Sequence, residues 1–504
     1  MRLFQESKLL ARPFWLCPAI FFYLLIINLS FIRNPPYWDS LLGPFAEAIW
    51  LKNNHFDYVR LWSKEPEYNE GGPVVYRHSL LPTIYAGLLS VLAPPAAFLV
   101  LHLFGYACAA LVFFLFFLIL RQHLPPPLAL LWCMVATVEP VWSGQTAAIS
   151  MEIPMMAAVA AVIYYLHQSR FRTAGLLGCL GLLIKETSLI LALALAIWGL
   201  AKTFSRKLGR PEPDEMANEK GLPYLFLPLF CFIILKLIFG FHLIFPPGMF
   251  VNNTLLGRIA KFPAKSLVLY PSLLVELLVI AAIIGGAVYV HRRNLSAALN
   301  DRKTWLMGFL ALNIFGFWAG SILFQVSLVR YFTFVVFPMA AFLALGLKKQ
   351  WSVILALAVL AFGALNQYGA WMPPVQTRSG QILERSREYL IDLAGDREIC
   401  RLLETEHFTD PIAGKFPFVQ MLTLPELGYV SRALPNVFAL NIVPSYAPVK
   451  GLEVGATLPH ETLFIYAANV FELSWPPSLA PPPNAVEVAV DRRLPEPIVV
   501  WRQP

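Results

Sequence analysis

The chain has 504 residues, 58% of them hydrophobic and only 14% charged. A water-soluble protein of that length carries about 25% charged residues, so a single soluble globule is excluded. The net charge of +8 arises from cations set in short gaps between apolar runs, which is how membrane spans are oriented and excludes a nucleic-acid-binding face.

The first residues are basic (Arg2, Lys8, Arg12), and an apolar run follows from Phe14 to Ile32. That run is long for a signal-peptide core and has no small-residue cleavage site, so it reads as a retained span with its cations inside. A long outer loop, Arg33 to His78, is mixed in charge and rich in aromatics. Leu80 to Ala93 is then short of the ~20 residues a crossing needs and is closed by Pro94-Pro95, so it reads as an interfacial helix on the outer surface.

Spans two to six follow at Ala97–Leu120, Leu128–Trp142, Ile153–Leu166, Ala174–Ile184 and Leu189–Ala201. The third exits into a polar loop, Ser143 to Met151. This drawing puts Arg121, Arg170, Arg172 and the Lys202–Arg210 cluster inside, as the cation rule asks. A polar linker continues to Gly221, and spans seven to eleven lie at Leu222–Phe241, Leu267–Val290, Trp305–Val326, Phe332–Leu347 and Val353–Leu365. Arg258, Lys261 and Lys265 then fall outside, against the rule.

From Met372 the composition turns water-soluble. Gln381–Leu393 has the pattern of an amphipathic helix, and Thr462–Ala467, Ala485–Val490 and Pro497–Trp501 those of short strands. The expected architecture is an α-helical polytopic membrane protein of about eleven spans, with a small α/β domain outside. Its membrane module covers 1–371, with 32–96 as the first outer loop carrying interfacial helices, and the soluble domain covers 372–504. Of the six cysteines, only Cys400 is in the polar tail, and no CxxC pair marks a zinc site or disulfide framework.

Four charged residues stand at edges of spans on what this drawing makes one surface. Asp39 follows the first span, Glu152 precedes the fourth, Lys185 follows the fifth and Arg330 stands between the ninth and tenth. Charges at membrane depth are costly unless paired or used, so they mark a functional site. A half-desolvated carboxylate at Asp39 is a stronger base, or an interfacial acid in a Tyr-Trp belt. Glu152 orients an acceptor or a cation, or is an acid favoured at a helix N-terminus; Glu139 in Val-Glu-Pro rivals it. Lys185 neutralises a lipid phosphate, pairs with Glu186 or snorkels to the interface. An arginine outside at Arg330, followed by Tyr331, suits bidentate phosphate recognition. Acids and cations together suit transfer from a lipid-phosphate leaving group to an acceptor hydroxyl.

In Tyr37-Trp38-Asp39, His78-x-x-x-Pro82, Glu152-Ile153-Pro154 and Gly178 to Lys185 (GCLGLLIK), the chain resembles the GT-C superfamily of polyprenyl-phosphate-dependent glycosyltransferases, with Arg330-Tyr331 adding to the pattern. The nearest branches are the bacterial relatives of protein O-mannosyltransferases and of the lipid A aminoarabinose transferase. The resemblance covers roughly the first 200 residues, and beyond them the architecture alone. It implies an inverting enzyme with Asp39 as base, Glu152 as second acid, and Lys185 and Arg330 on the donor phosphate. His78, Glu139, Glu186 and Tyr331 join the candidate substrate-binding set. The implied partners are a polyprenyl-phosphate-linked sugar, membrane lipids and a glycan, lipid or protein acceptor, at the extracytoplasmic face of the inner membrane. Many relatives carry an Asp-Glu pair where this chain has Asp39-Ser40, and no ligand spacing decides whether a divalent cation takes part. The rival readings are a transporter or flippase for lipid-linked sugar, or a non-catalytic scaffold. Transporters show internal repeats and charges buried mid-membrane, whereas here only Lys236 and Glu276 fall well inside spans.

Overall fold

The computed structural model describes residues 13–37, 41, 44–58, 81–207, 219–239, 301–323, 332–368, 386–414, 417–439, 450–451, 458–459, 461–467, 484–491 and 498–502. Asp39, His78, Arg330, Tyr331, Glu276, the eighth span and the loop with Arg258, Lys261 and Lys265 lie outside them. In chain order the helices are α1 (Leu16–Ile27), α2 (Pro44–Asn53), α3 (Leu81–Val91), α4 (Pro94–Leu120), α5 (Pro126–Val138), α6 (Pro140–Ala147), α7 (Glu152–His167) and α8 (Phe171–Ile184). They continue as α9 (Leu189–Lys207), α10 (Leu227–Phe239), α11 (Arg302–Leu323), α12 (Thr333–Gly346), α13 (Lys349–Leu365), α14 (Tyr389–Glu406) and α15 (Phe418–Thr423). Contacts divide the chain into two compact units, Met1–Ser30 with Leu103–Pro373, and Phe31–His102 with Pro374–Pro504.

In the first unit α12 is the buried centre. All its residues from Thr333 to Leu345 are buried, as befits a helix apolar on every side. Phe337 on α12 meets Phe116 of α4 and Trp142 of α6 at 5.3 and 4.7 Å between ring centroids. Trp132 of α5 donates its Nε1–H to Ser352 Oγ of α13 at 2.8 Å.

Around this centre the helices are apolar on their outer faces too. On α8, Gly175, Gly178 and Gly181 are buried while Leu176, Leu180 and Leu183 are exposed. On α9 the exposed stripe is Leu193, Ile197, Leu200 and Phe204, and on α13 it is Trp351, Ile354 and Leu357. Helices of soluble proteins put polar residues at those positions. Among the described residues α4 alone is long and apolar enough to cross a membrane as one helix; its 27 residues span about 40 Å. The pair α5–α6 passes the same test as one bent span, and α7, α8, α12 and α13 are shorter apolar helices of 14–17 residues.

The sequence reads one span over Leu128–Trp142 and a polar loop after it; instead the helix breaks at Glu139 and bends by 66°, and α6 carries Ser143 to Ala147 on as buried helix. The cause is Pro140, which has no N–H to give. In an unbroken helix Val141 and Trp142 would donate to Thr137 and Val138. Here both N–H groups donate to Glu139 Oε2, at 2.9 and 3.2 Å. The Val138 carbonyl so released accepts from Gln367 Nε2 at 2.6 Å. Helix α9 also runs past the expected end at Ala201. Lys202, expected in a cytoplasmic loop, is buried with its Nζ 3.9 Å from the Trp305 ring and 5.4 Å from that of Trp198. That cation–π contact lets the charge stay inside the helix.

The second unit holds a six-stranded sheet of β1 (Ile412–Gly414), β2 (Val437–Ala439), β3 (Lys450–Gly451), β4 (Leu463–Ala467), β5 (Val486–Asp491) and β6 (Ile498–Arg502). Its order is β3-β2-β1-β4-β6-β5, parallel from β3 to β4 and antiparallel at β6 and β5. Phe464 and Trp501 stack at 4.5 Å and 14° over Ala413. The three strands expected from the sequence match β4, β5 and β6 to within one residue. The expected helix at Gln381–Leu393 instead starts at Tyr389, where Ser386 Oγ accepts from the Glu388 N–H, and it runs to Glu406. Its buried face, Leu393, Asp396, Ile399, Cys400 and Leu403, carries the 3.6-residue period on past the expected end.

Residues that follow α1 pack into this same unit. Tyr37 hydrogen-bonds to Asp392 and its ring lies 5.2 Å from that of Tyr389. Tyr429 donates to the Pro36 carbonyl at 2.8 Å, and Lys52 pairs with Glu426 at 3.2 Å. Gly428 is left-handed (φ 79°), and a Cβ there would stand 2.4 Å from the Phe98 ring. The composition shift near Met372 and the contact boundaries therefore differ, because Phe31–His102 groups with the tail.

Two predictions follow from this packing. A Cβ on Gly175 would lie 2.1 Å from the Tyr224 carbonyl oxygen, whereas one on Gly308 would meet, among the described residues, nothing within 4 Å beyond its own helix backbone and chain neighbours. Gly175→Ala should lower the thermal midpoint by several degrees, consistent with an overpacking cost of about 1–3 kcal/mol. Gly308→Ala, in the interior of α11, should leave it unchanged or raise it; both are read by thermal-shift fluorescence of the purified protein.

The second concerns Asp392. Burial raises its pKa to about 6, with Asp491 adding to the rise and the Tyr37 hydrogen bond opposing it. Burial beside Asp392 and Asp491 raises Asp396 well above the ordinary carboxylate range as well. The folded state thus holds protons that the unfolded chain gives up, so the stability Asp392 contributes is full below about pH 4 and is lost as pH rises through about 6. Asp392→Asn should flatten that decline, measured as the unfolding midpoint of the second unit between pH 4 and 8.

Candidate functional site

Glu152 and Lys185 form a buried ion pair in the first unit, their side chains 4% and 3% exposed. Each charge sits at the helix end that favours it. Glu152 opens α7, where N–H groups point outward, and Lys185 closes α8, where free carbonyls gather. Chain geometry brings these ends together, since α8 packs back along α7.

Lys185 is extended (φ −156°, ψ 139°) and ends the helix. Its N–H still donates to the Gly181 carbonyl at 3.0 Å. Its own carbonyl accepts from Ser188 Oγ at 2.6 Å and from the Ser188 N–H at 3.1 Å. Thr187, in the short 3-10 turn Glu186–Ser188, donates to Met155 Sδ of α7 at 3.2 Å. The break in the apolar run at Lys-Glu-Thr-Ser is thus a turn held on both sides, with the lysine turned inward. Gly181 packs against the turn: a Cβ there would make ordinary contact with Ser188 Cβ at 3.4 Å and Ala158 Cβ of α7 at 3.9 Å.

Two desolvated charges this close are tolerated because each neutralises the other. Removing one partner of such a pair costs about 3–5 kcal/mol. The remaining polar residues nearby are structural in their visible contacts. Glu139 caps α6, and Thr146 and Ser150 return hydrogen bonds to the Ser143 and Gln145 carbonyls. An arriving phosphate would find Lys185 already engaged and would have to share or displace Glu152.

Of the residues singled out in the sequence, the structure brings Glu152 and Lys185 into contact, sets Glu139 at the bend, and places Glu186 in the turn after Lys185. Asp39, His78, Arg330 and Tyr331 lie outside the described residues. Sequence reasoning missed Thr187, Ser188 and Gln367. The first two had a visible signal, being polar residues directly after a lysine flanked by apolar runs. Among the described residues no group of three or more His, Cys, Asp or Glu has the placement to hold a metal ion.

No family model matches the chain, and no curated protein sequence matches it significantly. Among solved structures, the crystal structure of ArnT from Cupriavidus metallidurans bound to undecaprenyl phosphate is similar over 96% of this chain and 97% of that one, at 13% identity and a TM-score of 0.48.

Proposed function

We propose that the protein is an integral-membrane glycosyltransferase that moves a sugar from a polyprenyl-phosphate donor to an acceptor hydroxyl. The observation that carries this reading is the buried Glu152–Lys185 pair, an acid and a cation held together between two apolar helices. The apolar outer stripes of α8, α9 and α13 support immersion in hydrocarbon. The order of the motifs Tyr37-Trp38-Asp39, Glu152-Ile153-Pro154 and Gly178 to Lys185 supports the donor class. The distribution of cations supports an extracytoplasmic site in the inner membrane, with an outward-facing tail.

In the reaction the acceptor oxygen attacks the anomeric carbon as the carbon–oxygen bond to phosphate breaks. The polyprenyl phosphate leaves with the electron pair, and the anomeric centre inverts. Asp39 takes the acceptor proton. Lys185 and Arg330 carry the charge that builds on the departing phosphate, which is the group whose charge changes most. Glu152 holds Lys185 in its inward position until the phosphate arrives, then orients the acceptor. Asp39 and Arg330 enter from the sequence pattern alone.

Two experiments test this. Lys185→Met removes the cation paired with a buried carboxylate and should lower both stability and transfer. The double variant Glu152→Gln/Lys185→Met removes the charges together and should recover most of the thermal stability. If the pair belongs to the transfer machinery, the double variant stays at least about 100-fold slower in a purified assay with sugar-loaded polyprenyl phosphate. Recovery of activity along with stability would make the pair structural and remove the main support for the reading.

Asp39→Asn should reduce turnover about 100- to 10,000-fold at normal expression. Near-normal turnover would exclude Asp39 as the base. Mass spectrometry of cell-envelope glycans with and without the protein would then show which product loses one sugar.

A further inference from the structure

At the other end of α7, about 22 Å from Glu152 at 1.5 Å per residue, lies a second charged cluster. A cavity of about 20 Å³ opens there, lined by His167, Ser169, Trp198, Lys202, Arg302 and Trp305, with four apolar residues completing its walls. All of these residues belong to the first unit. Two cations and two indole N–H donors stand on the wall beside the His167 ring and the Ser169 hydroxyl, and no carboxylate lines it among the described residues.

Three observations point to an anion. Lys202 is 3% exposed, yet its Nζ is kept in place over the Trp305 and Trp198 rings. Arg302 is the first residue of the 22-residue helix α11, where the helix dipole adds positive potential. Trp198, 7% exposed, lines the cavity, and its Nε1–H has no hydrogen-bond partner among the described residues. A buried donor left in that state costs about 1–3 kcal/mol unless something accepts from it. Ionisable neighbours among the described residues include His123, whose Nε2 lies 3.3 Å from His167 Nε2, and the exposed Asp301 and half-buried Lys303. Asp301 is occupied in capping α11, accepting from the Lys303 and Thr304 N–H groups and from Thr304 Oγ1.

We propose that this cavity seats one oxygen of a phosphate group, with the rest of that group lying toward the half-buried Arg302 and Trp305. A volume of about 20 Å³ suits a single oxygen-sized atom and not a whole phosphate. An anionic lipid is the favoured source. The exposed stripe Leu193, Ile197, Leu200 and Phe204 runs along α9, the helix that also carries Lys202, and offers a track for an acyl chain beside the head-group slot. The site is distinct from the Glu152–Lys185 pair and does not depend on the glycosyltransferase reading.

The full-length protein in neutral detergent, observed by native mass spectrometry, tests it. Phosphatidylglycerol should bind as a single tight adduct, at least about 10-fold in preference to phosphatidylcholine. Lys202→Met/Arg302→Gln should weaken that adduct about 10-fold. Trp198→Phe keeps an aromatic ring but removes the donor, and should weaken it about 3- to 5-fold in a protein that still folds. This milder variant keeps the test valid if the double one fails to fold. Quenching of tryptophan fluorescence by millimolar inorganic phosphate, abolished in the same variants, with no lipid preference, would keep the oxyanion slot and assign it to free phosphate. Adducts indifferent to all three substitutions, with no phosphate response, would overturn the proposal.

Discussion

The first unit is organised by one constraint: nearly every helix face is apolar, so every backbone polar group and charge must find its partner inside the protein. Glu152 and Lys185 are the extreme case. Neither is tolerable alone at 3–4% exposure, and each would pull its helix end toward water if the other were absent. Pairing them fixes where α7 begins and where α8 ends, and through the Glu186–Ser188 turn it fixes where α9 starts. One ion pair thus sets the registry of three helices.

The same constraint explains the bend between α5 and α6. Pro140 breaks the ladder, and in water the orphaned groups would be hydrated. Here they are taken up by two side chains from opposite directions, Glu139 accepting from the N–H groups ahead of the bend and Gln367 donating to the carbonyl behind it. Gly363 allows Gln367 to approach, since a Cβ there would lie 2.7 Å from the Val138 oxygen. A bend with partners supplied on both sides of the break is a built element of the fold. It also makes Glu139 a poor free acid, because its Oε2 already serves two N–H groups.

What was legible in the sequence follows from the range of the interactions. Helices α4, α7, α8 and α12 were readable within a few residues because continuous apolar runs bounded by Arg, Pro or Gly are local signals. Strands β4 to β6 were readable because five or six residues are enough to show alternation; β1, β2 and β3, at two or three residues, are too short for any period. The break at Glu139-Pro140 had its proline in plain view, but the partner that makes it tolerable is Gln367, more than two hundred residues away. Tyr37 and Asp392 are 355 residues apart, and no local pattern announces that the segment after α1 packs with the tail. At the site, Glu152 and Lys185 were visible as charges in apolar surroundings; that they touch each other depended on α8 folding back along α7.

The two ends of α7 differ in what they can bind, and the difference follows from their charge. At Glu152 the cation is already balanced by an acid, so an incoming phosphate competes with a resident carboxylate and is readily released again. That suits a group that must bind as substrate and leave as product. At the His167 end the wall is lined by donors and cations, with Asp301 set outside it as a helix cap. An anion there meets donors and cations on the wall, with no carboxylate among the described lining residues. A turnover site needs the first kind of electrostatics, and a resident lipid needs the second. The roughly 22 Å between them lets one short helix carry both, each at its own end.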